Sequence, residues 1–218
     1  MLKITHSLLA SWQYAISEDA REDAYDSFLA TLRGERTEPT EAMLKGREFE
    51  DDVNYYVANG ILRILDSPQI DAYLSMGDTH IPDPPNTNTP YWKAVHNIGD
   101  VCVGGQPQVK IEKEIACCGT TIRLVGVLDY LKAGAAYDIK RTSKYEYGKY
   151  QHSTQHPMYF RLVPEATRFV YLIYDGYRVY TEDYWADETS PIDATIIQFI
   201  DFLRANDLLD VYMEHWKV

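Results

Sequence analysis

At 218 residues, 45% hydrophobic and 13% aromatic, the chain can bury a full core, which excludes a disordered or low-complexity protein. A formal net charge of −12 argues against nonspecific adhesion to nucleic acid through a broadly basic surface. There is no apolar run of about 18 residues, and the opening MLKITHSLLASWQYA has no long hydrophobic stretch or cleavage-type ending, so neither membrane insertion nor secretion is expected and the cytoplasm is the default location.

In chain order, residues 7–33 carry apolar groups at helical intervals (Leu8, Leu9, Trp12, then Phe28, Leu29, Leu32), which predicts one or two helices with an acidic outer face. From Met43 to Asn59, Phe49, Val53, Tyr56 and Val57 form a helical stripe that stops before Gly60. LDSPQI and the Pro- and Asn-rich DTHIPDPPNTNTP read as loops, the second as a mobile flap or a simple exposed crossing. Strand signals run from about residue 98 to 140. QVKIEKEIAC alternates apolar and polar, TIRLVGVLDYLKA follows a turn at Cys118-Gly119, and AAYDIKRT follows a turn at Ala133-Gly134, together an antiparallel meander of three strands. Residues 144–163 read as a helix, TRFVYLIYD and YRVYTEDYW as a hairpin about Gly176, and residues 190–204 and 206–216 as closing helices. The expected class is α/β (α+β), a mixed central sheet flanked by helices. Cys102, Cys117 and Cys118 form neither an even set nor a CxxC and are read as reduced and mostly buried.

The acidic body has one basic interruption: Lys140, Arg141, Lys144 and Lys149 fall within ten positions opposed only by Glu146. Just before them, Asp129 and Asp138 are symmetric about the 133–134 turn, so a hairpin folded there sets them across from each other with their carboxylates able to converge. Two such carboxylates repel unless a proton or a cation joins them, which suits a hard divalent ion. Strand alternation sends Lys140 to the face of Asp138 and Ile139 to the core, with the Ile139 carbonyl free to join the ligands. An ammonium at that position can orient a water and offset charge growing on a phosphate.

GREFE at 46–50, GVLDYL at 126–131, YDIKRT at 137–142 and SxQxxxY at 153–159 resemble, in order and spacing, the PD-(D/E)XK nuclease superfamily, in particular its RecB-type and lambda-exonuclease-type branches. The resemblance covers roughly residues 43–184. It implies a restriction-endonuclease-like core in a single domain, 1–218, on which helices 7–33 and 190–216 pack. It further implies that Asp129 and Asp138 are metal ligands, that Ile139 contributes its carbonyl and that Lys140 is the catalytic lysine. Glu50 becomes the additional acidic ligand, with Glu48 as its competitor. Gln155 and Tyr159, an i, i+4 pair, match the QxxxY element that lies near DNA in this superfamily, and Lys144 and Lys149 are candidate backbone contacts. Pro157 between them requires the helix to begin near His156 or to kink there. His152 and His156 are bystanders or ligands.

The resemblance implies a deoxyribonuclease using one or two Mg²⁺ or Mn²⁺ ions, of phage-type exonuclease character. Three late cysteines cannot supply the four ligands of an iron-sulfur cluster, and no GxxxxGK[ST] is present, so unwinding would come from a helicase partner and strand pairing from an annealing protein. Two alternatives stay open: a structure- or site-specific endonuclease with the same residues, and a noncatalytic acidic interaction protein or DNA mimic. Oligomerisation is open too, since lambda-type relatives form toroidal trimers and RecB-type domains join larger assemblies.

Overall fold

The computed structural model describes residues 2–35, 38–63, 87–117 and 119–216. Its elements are β1 (Leu2–Ile4), α1 (His6–Ala15), α2 (Ala24–Leu32), α3 (Glu41–Asn59), α4 (Pro90–Cys102), β2 (Gln106–Cys117), β3 (Thr120–Lys132), β4 (Ala135–Arg141), α5 (Gln155–Leu162), β5 (Arg168–Tyr174), β6 (Val179–Trp185), α6 (Asp193–Ala205) and α7 (Leu209–His215). The loop reading of LDSPQI and of most of DTHIPDPPNTNTP falls on residues 64–86, outside the described residues.

One mixed six-stranded sheet carries helices on both faces. The expected meander is present: β2 pairs antiparallel with β3, and β3 with β4. Ala133 and Gly134 both take positive φ, 49° and 78°, the left-handed pair that a two-residue hairpin needs. The chain then crosses over through α5 so that β5 lies parallel to β4, and β6 returns antiparallel from the turn at Gly176. That turn is held by Asp175, whose Oδ1 accepts the N–H groups of Tyr177 and Arg178, each at 2.8 Å.

Each face of the sheet has its own core. On one, Leu8, Leu9 and Trp12 of α1, Phe28 and Leu32 of α2, Met158 and Leu162 of α5, Phe199 and Leu203 of α6 and Tyr212 of α7 bury against Ile122, Leu124, Phe169 and Tyr171. On the other, Phe49 and Val53 of α3 and Ala94, Val95 and Ile98 of α4 bury against Tyr130, Ile139, Val170 and Leu172. Each of the Val, Leu, Ile, Phe and Met side chains removed from water contributes about 1.5–3 kcal/mol. Cys102 and Cys117 are buried, as expected. Among the described residues no helix is long and apolar enough to cross a membrane.

Three expectations need correction. The strand signal expected from residue 98 begins later, because residues 98–102 are the end of α4, a helix started by Thr89, whose Oγ1 accepts the Trp92 N–H, and by Pro90 in the first turn. The helix expected over 144–163 is confined to Gln155–Leu162; residues 142–154 are turns, and Pro157 sits in the first helical turn, where its missing N–H costs nothing. Ahead of the N-terminal helices, Leu2–Ile4 forms a strand parallel to Ile122–Leu124.

Candidate active site at a gap in the sheet edge

β2 lines one edge of β3 from Thr120 to Leu131, so β1 and β4 must share the other edge. β1 occupies residues 122–124 of that edge and β4 occupies 130–132, which leaves Val125 to Asp129 without a neighbouring strand on that side among the described residues. An open backbone edge inside a folded protein has to find other partners. Here side chains supply them. The Tyr159 hydroxyl donates to the Val127 carbonyl, and the Ile139 N–H donates to Asp129 Oδ2 at 2.7 Å. Gly126 makes room, since a Cβ there would lie 2.6 Å from Tyr159 Cε1.

The expected pairing of Asp129 with Asp138 is therefore altered in detail. The ladder ends at Tyr130↔Tyr137, one step short of the two acids, and the Asp129 carboxylate takes the place of a ladder partner. Facial alternation also slips there: Leu128 lies in the first core and Tyr130 in the second. The same level of β2 is irregular. Gln108, opposite Asp129, takes φ +49°, a left-handed conformation uncommon outside glycine, and its Nε2 donates to Glu50 Oε1 at 2.6 Å.

Four charged groups meet at this gap. Asp138 is only 5% exposed; its Oδ1 accepts from Gln155 Nε2, and its Oδ2 lies 2.7 Å from the Lys140 ammonium. That short ion pair satisfies Asp138 Oδ2, a buried carboxylate oxygen whose partner among the described residues is the Lys140 ammonium. Burial pushes the Asp129 carboxyl well above the usual carboxylate range, and the charges of Asp138 and Glu50 push it further, against the pull of the Ile139 N–H and Lys140. Glu50 on α3 is raised for the same reasons, burial first, opposed by its bond from Gln108. Lys140 is half-buried; burial alone would lower its pKa, but Asp138 and then Asp129 hold it above its ordinary value. The side chain also stands 6.0 Å from the Tyr171 ring.

The structure thus brings Glu50, Asp129, Asp138 and Lys140 into one electrostatic unit, with the Ile139 side chain packed in the second core, as alternation predicts. Glu48 is exposed and acts on Asp52 and Tyr91 instead, which places Glu50 rather than Glu48 at the gap. Gln155 and Tyr159, expected at a DNA surface, are 5% and 2% exposed, and their polar atoms are engaged inside the protein. They position Asp138 and the sheet edge. Lys144 and Lys149 are exposed but not idle: Lys144 pairs with Glu146 at 2.5 Å, and Lys149 Nζ donates to Thr142 Oγ1 and to the Lys144 carbonyl. His152 is exposed, and His156 is buried, stacked on Tyr184 with ring centroids 4.0 Å apart.

Sequence reasoning passed over three contributors. Gln108 carries no signal in an alternating run. His6, at the junction of β1 and α1, is held neutral, its pKa lowered to about 4 by burial and by the charge of Lys140. Glu182, in register with Tyr171 and through it with Asp138, is a buried carboxylate that accepts from the Tyr145 hydroxyl at 2.7 Å, the Tyr150 N–H at 3.1 Å and the Tyr184 hydroxyl. It pins the 142–154 segment across the sheet, where Tyr150 stacks on Tyr171 with centroids 4.4 Å apart. A run of Tyr after a D-x-K and an E-D-Y in the partner hairpin is the signal that pairs these segments.

Among the described residues, no group of three or more His, Cys, Asp and Glu side chains is gathered closely enough to form a ready-made metal cage. The donors nonetheless fit a hard cation in kind. All are oxygens, two of the acids have raised pKa values, and the buried Asp138 Oδ2 is held by the Lys140 ammonium.

No family model matches the chain, and no curated protein matches it. Among solved structures, one described as "Crystal structure of SSO0001" is 14% identical, with a TM-score of 0.45 over 92% of this chain and 74% of that one. A likeness at that level carries no functional argument.

Proposed function

We propose that the chain is a metal-dependent deoxyribonuclease of restriction-endonuclease-like architecture, acting as an exonuclease on DNA in the cytoplasm. The observation that carries this reading is the gathering of Asp129, Asp138 and Glu50 about the single ammonium of Lys140, which lies 2.7 Å from the buried Asp138 Oδ2. Three carboxylates against one ammonium leave an excess of negative charge that a metal cation would offset, and perturbed carboxylates of this kind are enriched at functional sites. A Mg²⁺ or Mn²⁺ ion bound there would supply a Lewis acid and an activated water.

The chain's own residues supply the rest. Asp129 and Asp138, with Glu50 and the Ile139 carbonyl, would hold the ion. Gln155 fixes Asp138 through Oδ1, and Oδ2, now paired with Lys140, would turn to the ion once Lys140 meets the phosphate. Lys140 stays protonated, exchanges Asp138 for the phosphate when substrate arrives, orients the attacking water and offsets the growing negative charge. Lys144 and Lys149 border the site on the 142–154 segment and meet the DNA backbone by releasing their present intrachain partners.

The test is an end-labelled linear duplex beside a closed circle, each with Mg²⁺, with Mn²⁺ and with chelator. Metal-dependent shortening of the linear duplex alone supports the exonuclease. Equal cutting of the circle means an endonuclease using the same site, and no hydrolysis under any condition overturns the proposal in favour of a noncatalytic acidic protein.

A further inference from the structure

A cavity of about 730 Å³ opens on the first-core face, between the 147–157 segment, β6 and the start of α6. It is the size of a small-molecule or nucleotide site. Its relation to the candidate active site is close. Thr154 and His156 line it, and the residue between them, Gln155, holds Asp138. The first turn of α5 is therefore a wall with the cavity on one side and the carboxylate on the other.

The lining favours an uncharged, flat, hydrogen-bonding group over a phosphate. No Lys or Arg is among the described residues that line it. Of its carboxylates, Glu182 is consumed by three donors and Asp183 is paired with Arg168 at 2.6 Å, while Glu188 adds a negative charge that repels anions. What remains is the exposed His152 imidazole, the Ser190 hydroxyl, the side-chain amides Gln13, Gln151 and Gln198, each able to donate and to accept, and two exposed aromatic rings, Tyr147 at 89% and Trp185 at 44%, the latter with the Arg168 guanidinium 5.6 Å from its centre. Amides matched with accessible aromatic faces are the chemistry that recognises a base rather than a backbone. Lys149 follows the lining residue Gly148 in the chain, and its ammonium donates to Thr142 Oγ1 and the Lys144 carbonyl.

We infer that this cavity receives an unpaired nucleobase of the DNA strand whose phosphodiester lies at the Asp129–Asp138 gap. The inference rests on the nuclease reading and specifies the form of the substrate: a strand with at least one base out of the duplex stack beside the scissile bond.

The experiment walks a single abasic position along a labelled ten-nucleotide strand and measures binding by anisotropy in Ca²⁺, with cleavage in Mg²⁺ followed separately. The proteins are wild type, Tyr147→Ala, Gln198→Ala and Ala194→Trp, the last filling the cavity from an exposed position on α6. One abasic position should weaken wild-type binding by about tenfold, the scale of one base–aromatic stack, and that penalty should vanish in Tyr147→Ala and in Ala194→Trp. A penalty at no position in wild type, or an equal penalty in all four proteins, overturns the inference. If cleavage in Mg²⁺ persists in that case, the nuclease reading survives without the base pocket. Absence of cleavage sinks the nuclease reading on its own.

Discussion

The Ile139 N–H donates to Asp129 Oδ2 at 2.7 Å, so a side chain of β3 completes the hydrogen bonding of β4 just where the ladder between them stops. This one contact fixes Asp129 beside the peptide that separates Asp138 from Lys140. It also buries a carboxylate next to two others, and several consequences can be measured.

Asp129 titrates well above the usual carboxylate range in the folded, metal-free chain. A raised folded pKa means that the native state binds the proton more tightly than the unfolded state does. Its contribution is complete below the unfolded value near 3.9 and is lost as pH rises through the folded value. Asp129→Asn keeps an oxygen for the Ile139 N–H and removes the charge. In chelator at pH 7–8 it should be more stable than wild type by roughly 1 kcal/mol, with the gap closing towards pH 4. Urea melts across that range check it, and Mn²⁺ should reverse the order.

The buried histidines act in the other direction. Burial lowers His156 to about 4, so its stabilising contribution is intact above about 6.5 and lost as pH falls from there to about 4. His156→Phe should flatten the acid limb of stability between those values, at a cost of about 1 kcal/mol at pH 7 for the lost contact with the Tyr171 hydroxyl. Thermal melts in the Asp129→Asn background separate this slope from the opposing one.

Gln108 holds Glu50 from a left-handed backbone that a side chain seldom adopts. Gln108→Gly relaxes the backbone and removes the amide. It should hold or raise stability yet weaken Mn²⁺ binding by about tenfold, as loss of a group that orients a ligand does. Calorimetric Mn²⁺ titration with a parallel melt distinguishes this from simple unfolding.

Two glycines give an internal contrast. A Cβ on Gly126 meets Tyr159 at 2.6 Å and Leu162 at 3.0 Å, whereas one on Gly46, inside α3, meets nothing within 4 Å among the described residues. Gly126→Ala should destabilise by about 1–3 kcal/mol through overpacking and dislodge Tyr159 from the sheet edge. Gly46→Ala should stabilise by up to about 1 kcal/mol through helix propensity. Paired denaturation curves check both.

Much of the β architecture was legible because it is local. Alternation in QVKIEKEIAC and the Ala133-Gly134 turn define the meander, and counting outward from that turn brings Asp129 level with Asp138. The stripe through Phe49 and Val53 likewise puts Glu50 on the inner side of α3. What escaped depends on distant partners. Leu2–Ile4 is a strand only because Ile122–Leu124 offers it an edge, and 142–154 is turns because Glu182 captures Tyr145 and Tyr150. The i, i+4 spacing of Gln155 and Tyr159 correctly sets them on one face, but spacing does not say whether that face meets solvent or a carboxylate.

The central claim, that Lys140 works with Asp129 and Asp138 on a phosphodiester, is tested most directly by single-turnover cleavage of a linear duplex with Mn²⁺, comparing wild type with Lys140→Met. Met preserves much of the packing against Tyr171 while removing the ammonium. The account predicts a loss of at least about a hundredfold in protein that a melting curve in Mn²⁺ shows to be folded, with a lower melting temperature in chelator because Asp138 loses its ion-pair partner. Cleavage within about twofold of wild type, on the scale of rate differences that carry no free energy of consequence, would contradict it.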